Sequence, residues 1–383
     1  MEHFFLHVLL DEKVVDSFIT MMEEAFPNES TYLIIAKDGA PKRVKQKESV
    51  ISFDENSKEL KHYLSRLMQY RHVCLHSMVG KKFYSYVNHD SISWVIWGSD
   101  LYGPLLRFKG YNIYYDKKKQ YKVRAGRLPV WLYRLMVNFR DYPKVRREES
   151  VINKLSYVIT DNGCDYDVFK KYYGEKRIKF YGTINYYPIE NLIDPSKQKE
   201  ECAGNAIWVG NSADANGNHV WVFEMLSNYS NGIKVMSPIS YGDPRFMKYL
   251  YEEGNRLLGD RFVPLKEFLP VKDYYARFLQ ANSFVFAHFR QCAVGNILMA
   301  LFFGGKVFLS HKNPLLNMYK ETGFNIFSIE DDLTEEFATK PLSREERVNN
   351  RELVKTIASH ENSIKQLKNV YGQIKRDYLF RKG

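Results

Sequence analysis

A chain of 383 residues with 45% apolar content is long enough for two or three domains, and global disorder is excluded. Lys and Arg exceed Asp and Glu by 11, which points to anionic rather than cationic partners. Aromatics reach 15%, with 28 Tyr and 25 Phe, a composition suited to surfaces that are part wet and part apolar, such as sugar sites and membrane interfaces.

The opening MEHFFLHVLLDEKVVD lacks a basic n-region and meets acid by Asp11, so it does not read as a signal peptide. No run approaches the roughly 18 apolar residues of a membrane span. Cys74, Cys164, Cys202 and Cys292 are far apart and form no CxxC pair, so neither a metal knuckle nor a disulfide framework is expected. The expected setting is cytoplasmic.

Phe4–Leu10 reads as a buried strand, and the segment after it places Val15, Phe18, Ile19, Met22 and Phe26 on one helical face. Tyr32–Ala36, Val50–Phe53, His72–His76, Ile92–Trp97 and Ser156–Thr160 continue the strands, with helical patterns between several of them. This is the rhythm of a parallel sheet covered on both faces. After a polar stretch at 188–205 it restarts with strands at Ala206–Gly210, Ile233–Ser237, Phe262–Pro264, Ser283–His288 and Lys306–Ser310, and helices between them. Two Rossmann-like domains, over 1–190 and over 205–342, are expected to face each other across a cleft. The segment 343–383 reads as one or two polar helices that could cross back to the first domain.

Residues 107–149 form a basic, aromatic insertion holding 13 Lys/Arg, 4 Asp/Glu and nine aromatics. PVWLYRLMVNF puts Trp131, Leu132, Leu135, Met136 and Phe139 on one helical side, the pattern of an interfacial anchor. Arg124, Arg127, Trp131 and Arg134 are the candidates for meeting a membrane or acceptor. An ordinary solvated face and a single-strand nucleic-acid groove fit the same charges, although no RNA- or DNA-binding signature accompanies them.

Two loops carry the chemistry. Ile207-Trp-Val-Gly-Asn-Ser-Ala-Asp-Ala-Asn-Gly-Asn-His219 runs from strand to helix, where Gly210 permits close approach and Asn211 and Ser212 supply donors for a diphosphate at a helix N-terminus. Phe284-Val-Phe-Ala-His-Phe-Arg-Gln-Cys-Ala-Val-Gly-Asn296 ends a strand at Arg290, whose planar fork matches phosphate oxygens, before a loop with Gly295. A plain turn with a cap, and an Arg in a domain-edge ion pair, are the competing readings. In the first half Asp100, just past a strand, is the candidate general base, with His76 next and His7 a weaker competitor. Asp165-Tyr-Asp167 fits a metal-binding Asp-x-Asp string but sits at a helix start, where carboxylates serve as caps, so no metal site is assigned.

With these motifs the chain resembles the bacterial TDP-N-acetylfucosamine:lipid-linked N-acetylfucosaminyltransferases, or 4-alpha-L-fucosyltransferases, of glycosyltransferase family 56. The carriers are Phe5-Leu-His-Val-Leu9, Trp97-Gly-Ser-Asp-Leu-Tyr102, Val209-Gly-Asn-Ser-Ala-Asp214, Arg290-Gln291 with Gly295, and Asn313-Pro314. The resemblance implies a GT-B architecture, a donor bound by the second domain, and an acceptor on undecaprenyl diphosphate at the inner face of the bacterial cytoplasmic membrane. The chain departs from the family pattern at Ala293, where Gly is expected, and at Asn296, where Thr is expected; Lys109–Pro129 is enlarged. On this reading the enzyme moves a 6-deoxyhexose from a nucleoside-diphosphate sugar to a lipid-linked oligosaccharide, with no cofactor. Gly210, Asn211, Ser212, Tyr241, Arg290, Gly295, Asn296 and Asn313 bind the donor. The alternatives are another donor, such as GDP-fucose or a UDP-sugar, and a non-catalytic protein that binds anionic polymers.

Overall fold

The computed structural model describes all residues except 1, 2, 46, 79, 80, 175–177, 231 and 383. The chain divides into two compact units, Met1–Tyr111 with Asn138–Pro188 and Ala358–Gly383, and Asn112–Val137 with Ile189–Ile357. These bounds differ from the expected ones in three places. Much of the basic insertion, Asn112–Val137, belongs to the second unit, the polar stretch after Pro188 joins that unit too, and the terminal helical segment splits at Ala358.

The first unit is built on seven strands, β1 (Phe5–Leu10), β2 (Ser30–Ala36), β3 (Val50–Asp54), β4 (His72–His76), β5 (Ile92–Ile96), β6 (Tyr157–Thr160) and β7 (Lys179–Thr183), in the order β3-β2-β1-β4-β5-β6-β7. Every pairing is parallel, so all carboxyl ends lie on one side of the sheet. Strands β1, β2, β4, β5 and β6 are short, mostly apolar runs that bury both faces, hence their legibility, whereas the edge strand β3 is mostly half-buried. Strand β7, KFYGT, is an exposed-to-half-buried edge and carries no such pattern. The helix Val15–Ala25 lays Val15, Phe18, Ile19 and Met22 on the sheet. The C-terminal helix His360–Lys382 packs beside it and along β7, with Ile364, Leu367, Val370, Tyr371 and Ile374 in the same core. Its aliphatic contacts contribute about 1.5–3 kcal/mol each where fully buried.

The second unit holds six parallel strands, β8 (Ala206–Val209), β9 (Val235–Pro238), β10 (Phe262–Leu265), β11 (Ala281–Phe286), β12 (Lys306–Leu309) and β13 (Phe327–Ser328), ordered β10-β9-β8-β11-β12-β13. The helices His219–Leu226, Pro244–Leu258 and Val294–Phe302 connect successive strands. The apolar faces of β8, β11 and the first of these helices meet in one core around Ile207, Val222, Phe223 and Val285.

Asn112–Val137 is fastened to this unit by specific contacts. Tyr115 donates its backbone N–H to Asn218 Oδ1 (2.9 Å), and its ring stacks on Trp221 at 4.7 Å and 6°. Arg124 donates to the Tyr114 hydroxyl (2.9 Å), approaches Asp243 (3.8 Å) and lies over the Phe246 ring. Arg124 is therefore turned towards these groups. Among the described residues no helix is long and apolar enough to cross a membrane.

Candidate functional site

In the second unit the site assembles where β8, β9, β11 and β12 end. Strand β8 stops at Gly210, whose φ of 76° and crowding demand glycine: a Cβ there would stand 2.0 Å from His219 Nε2. The turn is held by the Trp208 indole N–H on the Gly210 carbonyl (2.9 Å) and by Ser212 Oγ donating to Asp214 (3.1 Å). Asn218, itself at φ 51°, donates from Nδ2 to the Ala287 carbonyl (2.8 Å) and so locks the β8 loop against the end of β11. The β9 loop joins through Ala213 N–H on the Tyr241 carbonyl (2.7 Å), leaving the Tyr241 side chain half exposed.

After β11 come His288, Phe289 and Arg290, and then the helix Val294–Phe302, whose N-cap is Ala293 in the left-handed region at φ 60°. A side chain in that conformation is strained, which gives a physical reason for the family's glycine here. Gly295 and Asn296 lie in the first helical turn, where amides lack intrahelical acceptors and carry the positive end of the helix dipole. Arg290 is partly exposed and donates to the Gln291 carbonyl (2.7 Å). Past β12, Asn313 caps the helix Pro314–Glu321 through Oδ1 on Leu315 N–H (3.1 Å).

A shared feature marks these loops: buried polar atoms without partners. Asn211 Oδ1, Asn216 Oδ1, both ring nitrogens of His219, His288 Nδ1 and Asn313 Nδ2 make no hydrogen bond. Buried polar groups are ordinarily satisfied, and leaving one unmet costs about 1–3 kcal/mol. These atoms follow three neighbouring strands and so gather at one end of the sheet. Burial, then His288, lowers the His219 pKa to about 3; burial, then Arg290, does the same for His288, with Asp214 opposing. Both imidazoles are thus neutral at pH 7, each offering one donor and one acceptor. The structure therefore brings Gly210, Asn211, Ser212, Tyr241, Arg290, Gly295, Asn296 and Asn313 to one side of one sheet. Sequence reasoning missed His219 and His288, although both stand inside the two quoted motifs; the signal was a polar ring beside each glycine or arginine.

The first unit gives its candidates other work. Asp100 is buried, and its carboxylate accepts from Trp94 Nε1 (2.8 Å), Met78 N (3.0 Å), Trp97 N (3.1 Å) and Leu101 N (3.2 Å). Burial raises its pKa to about 6 against the pull of those donors. This carboxylate, accepting from four N–H groups, ties the ends of β4 and β5 together. His76 is likewise enclosed: its Nε2 meets His7 Nδ1 (3.0 Å), its Nδ1 meets the Tyr186 hydroxyl, and burial lowers its pKa to about 3. Both histidines belong to the core. Asp165 accepts from the Tyr102 hydroxyl (2.7 Å) within the first turn of the helix Gly163–Tyr173. Among the described residues no cluster of three His, Cys, Asp or Glu is placed to hold a metal ion.

Three solved structures share the fold over nearly the whole chain. Sucrose-phosphate synthase from Thermosynechococcus elongatus is 13% identical with a TM-score of 0.60, covering 99% of this chain and 100% of that one. Anabaena Alr3699/HepE in complex with UDP-glucose is 12% identical with a TM-score of 0.60, covering 96% and 99%. A glycosyltransferase from Rickettsia africae is 11% identical with a TM-score of 0.58, covering 99% of each. The two parallel-sheet units are thus those of a GT-B glycosyltransferase. The family model for the 4-alpha-L-fucosyltransferases matches residues 137–359, more than half of the chain and inclusive of every loop just described in the second unit. By that match the chain belongs to glycosyl transferase group 56 and is a glycosyltransferase.

Proposed function

We propose that the enzyme transfers a 6-deoxyhexose of the fucose or 4-acetamido-4,6-dideoxygalactose type from a nucleoside diphosphate to a lipid-linked oligosaccharide. The observation that carries the reading is the set of buried polar atoms without partners in the loops after β8, β11 and β12. As the bond from the anomeric carbon to the diphosphate breaks, charge grows on the leaving oxygen. Arg290 and the first-turn amides of Val294–Phe302 stabilise it, and preorganised donors of this kind contribute about 3–4 kcal/mol each. Asn211, Asn313 and neutral His288 complete the hydrogen bonding of the phosphates and ribose, and Tyr241 flanks them.

The first unit supplies the acceptor. The acceptor is linked to undecaprenyl diphosphate, which places the enzyme as a peripheral protein on the inner face of the bacterial cytoplasmic membrane. Support for this comes from the charge of the insertion and from group 56 membership.

A thermal-shift panel of TDP, GDP and UDP tests the donor site, since a ligand bound only by the folded state raises its stability by RT ln(1 + [L]/Kd). One nucleotide is expected to shift wild type and to lose its effect in Arg290→Ala. No shift from any of the three, with salt-dependent RNA binding instead, would give the protein to the non-catalytic alternative.

A further inference from the structure

We infer that the outward face of the helix Val130–Ile152 is the seat of an anionic lipid surface. Trp131, Leu135, Phe139 and Tyr142 recur at i, i+4, i+8 and i+11, which at 3.6 residues per turn is one stripe, and Met136 widens it. These side chains are 68%, 60%, 83%, 55% and, for Met136, 53% exposed. A stripe that large on a water-facing helix is not core; it spans about 16 Å at 1.5 Å per residue. The helix contains the boundary between the two units, after Val137.

Charge decides what covers the stripe. Residues 126–147 hold six Lys or Arg and one acid, Asp141. That acid is buried and paired with Arg107 at 3.0 Å and with Arg140 at 2.8 Å, so no exposed carboxylate stands along Trp131–Tyr142; Glu149, two turns further on, is half-buried and lies 3.8 Å from Lys109. Arg134 and Arg140 flank the stripe on its two sides, and exposed Arg127 precedes it. Aromatic side chains at headgroup depth with cations beside them match an anionic bilayer surface. A second copy would bring like-charged rows together. The acceptor proposed above gives this face its purpose, but the face itself is read from exposure and charge alone.

The full-length protein, without donor or acceptor, is sedimented with vesicles of equimolar phosphatidylglycerol and phosphatidylcholine and with vesicles of phosphatidylcholine. Binding to the first and not the second is expected. The fluorescence of Trp131 should shift to the blue, and Trp131→Phe should remove that shift while keeping binding. The double variant Trp131→Glu, Phe139→Glu should lower partitioning at least tenfold with an unchanged thermal unfolding curve. Undiminished partitioning of the folded double variant overturns the inference. So does a wild-type dimer that the double variant dissolves while neither binds vesicles, which would assign the face to a second copy. A protein that binds vesicles but responds to no nucleoside diphosphate keeps this surface and loses the donor reading.

Discussion

The carboxyl-terminal sides of the two sheets use polar residues in opposite ways. In the first unit the two candidates are satisfied from within, Asp100 by four N–H groups and His76 by His7 and Tyr186, although Trp97 Nε1 and Thr160 Oγ1 nearby keep no partner. In the second unit Asn211, His288 and Asn313 each keep a buried polar atom without a partner. Both sides look alike in composition, so residue type alone does not separate a structural carboxylate from a ligand group. What separates them is whether the surrounding loops supply the missing half of each hydrogen bond.

The strongest challenge to this contrast is acid. His7, His72, His76, His219 and His288 are all buried with pKa values pressed below 6.5 by desolvation. Below pH 6.5 the unfolded chain binds protons that the folded chain refuses. Stability should therefore fall as the pH drops below 6.5, because the folded chain takes up these protons only near pH 3, where His76, His219 and His288 titrate. Chemical denaturation from pH 7 to 4 measures this, and a flat profile would mean the rings are wetter than they stand here. Bound nucleoside diphosphate should protect the second unit's pair and leave the first unit's unprotected.

Next in size, Arg290→Ala is expected to lower transfer by about 10³-fold, near 4 kcal/mol, with little change in melting temperature, in a turnover assay with a TDP- or GDP-linked deoxysugar. Asp100→Asn should do the reverse. It replaces an acceptor with a donor against buried N–H groups, so unfolding free energy drops by about 2–3 kcal/mol while nucleotide affinity holds. Loss of nucleotide binding at Asp100, or loss of fold at Arg290, would dissolve the distinction between the two sides.

The smallest effect sharpens it. Among the residues in the left-handed region, Ser77 at φ 63° stands just past β4 in the first unit and Ala293 at φ 60° caps the helix Val294–Phe302 in the second. Ser77→Gly and Ala293→Gly should each stabilise by about 0.5–1 kcal/mol in urea unfolding. Only the second should also alter nucleotide affinity, because it sets the amides of Gly295 and Asn296.

Most of the strands were legible because parallel strands covered on both faces must be continuous apolar runs, and β1, β4, β5 and β8 are just that. Strand β7 and the two-residue β13 escaped notice because edge strands need bury little. The donor-side loops were legible through Gly210 and Arg290, whose chemistry is local: a glycine where a ring presses on the backbone, a fork that fits phosphate. The roles of Asp100 and His76 were not, since their partners Met78, His7 and Tyr186 arrive from other strands and loops. The sequence by itself determined the α/β rhythm, the two phosphate-type loops and the basic aromatic stripe, all set by neighbours along the chain. Only the tertiary structure decided that Asn112–Val137 joins the second unit, that Arg124 turns inward, and which buried polar groups are already satisfied, because each depends on contacts between residues distant in sequence.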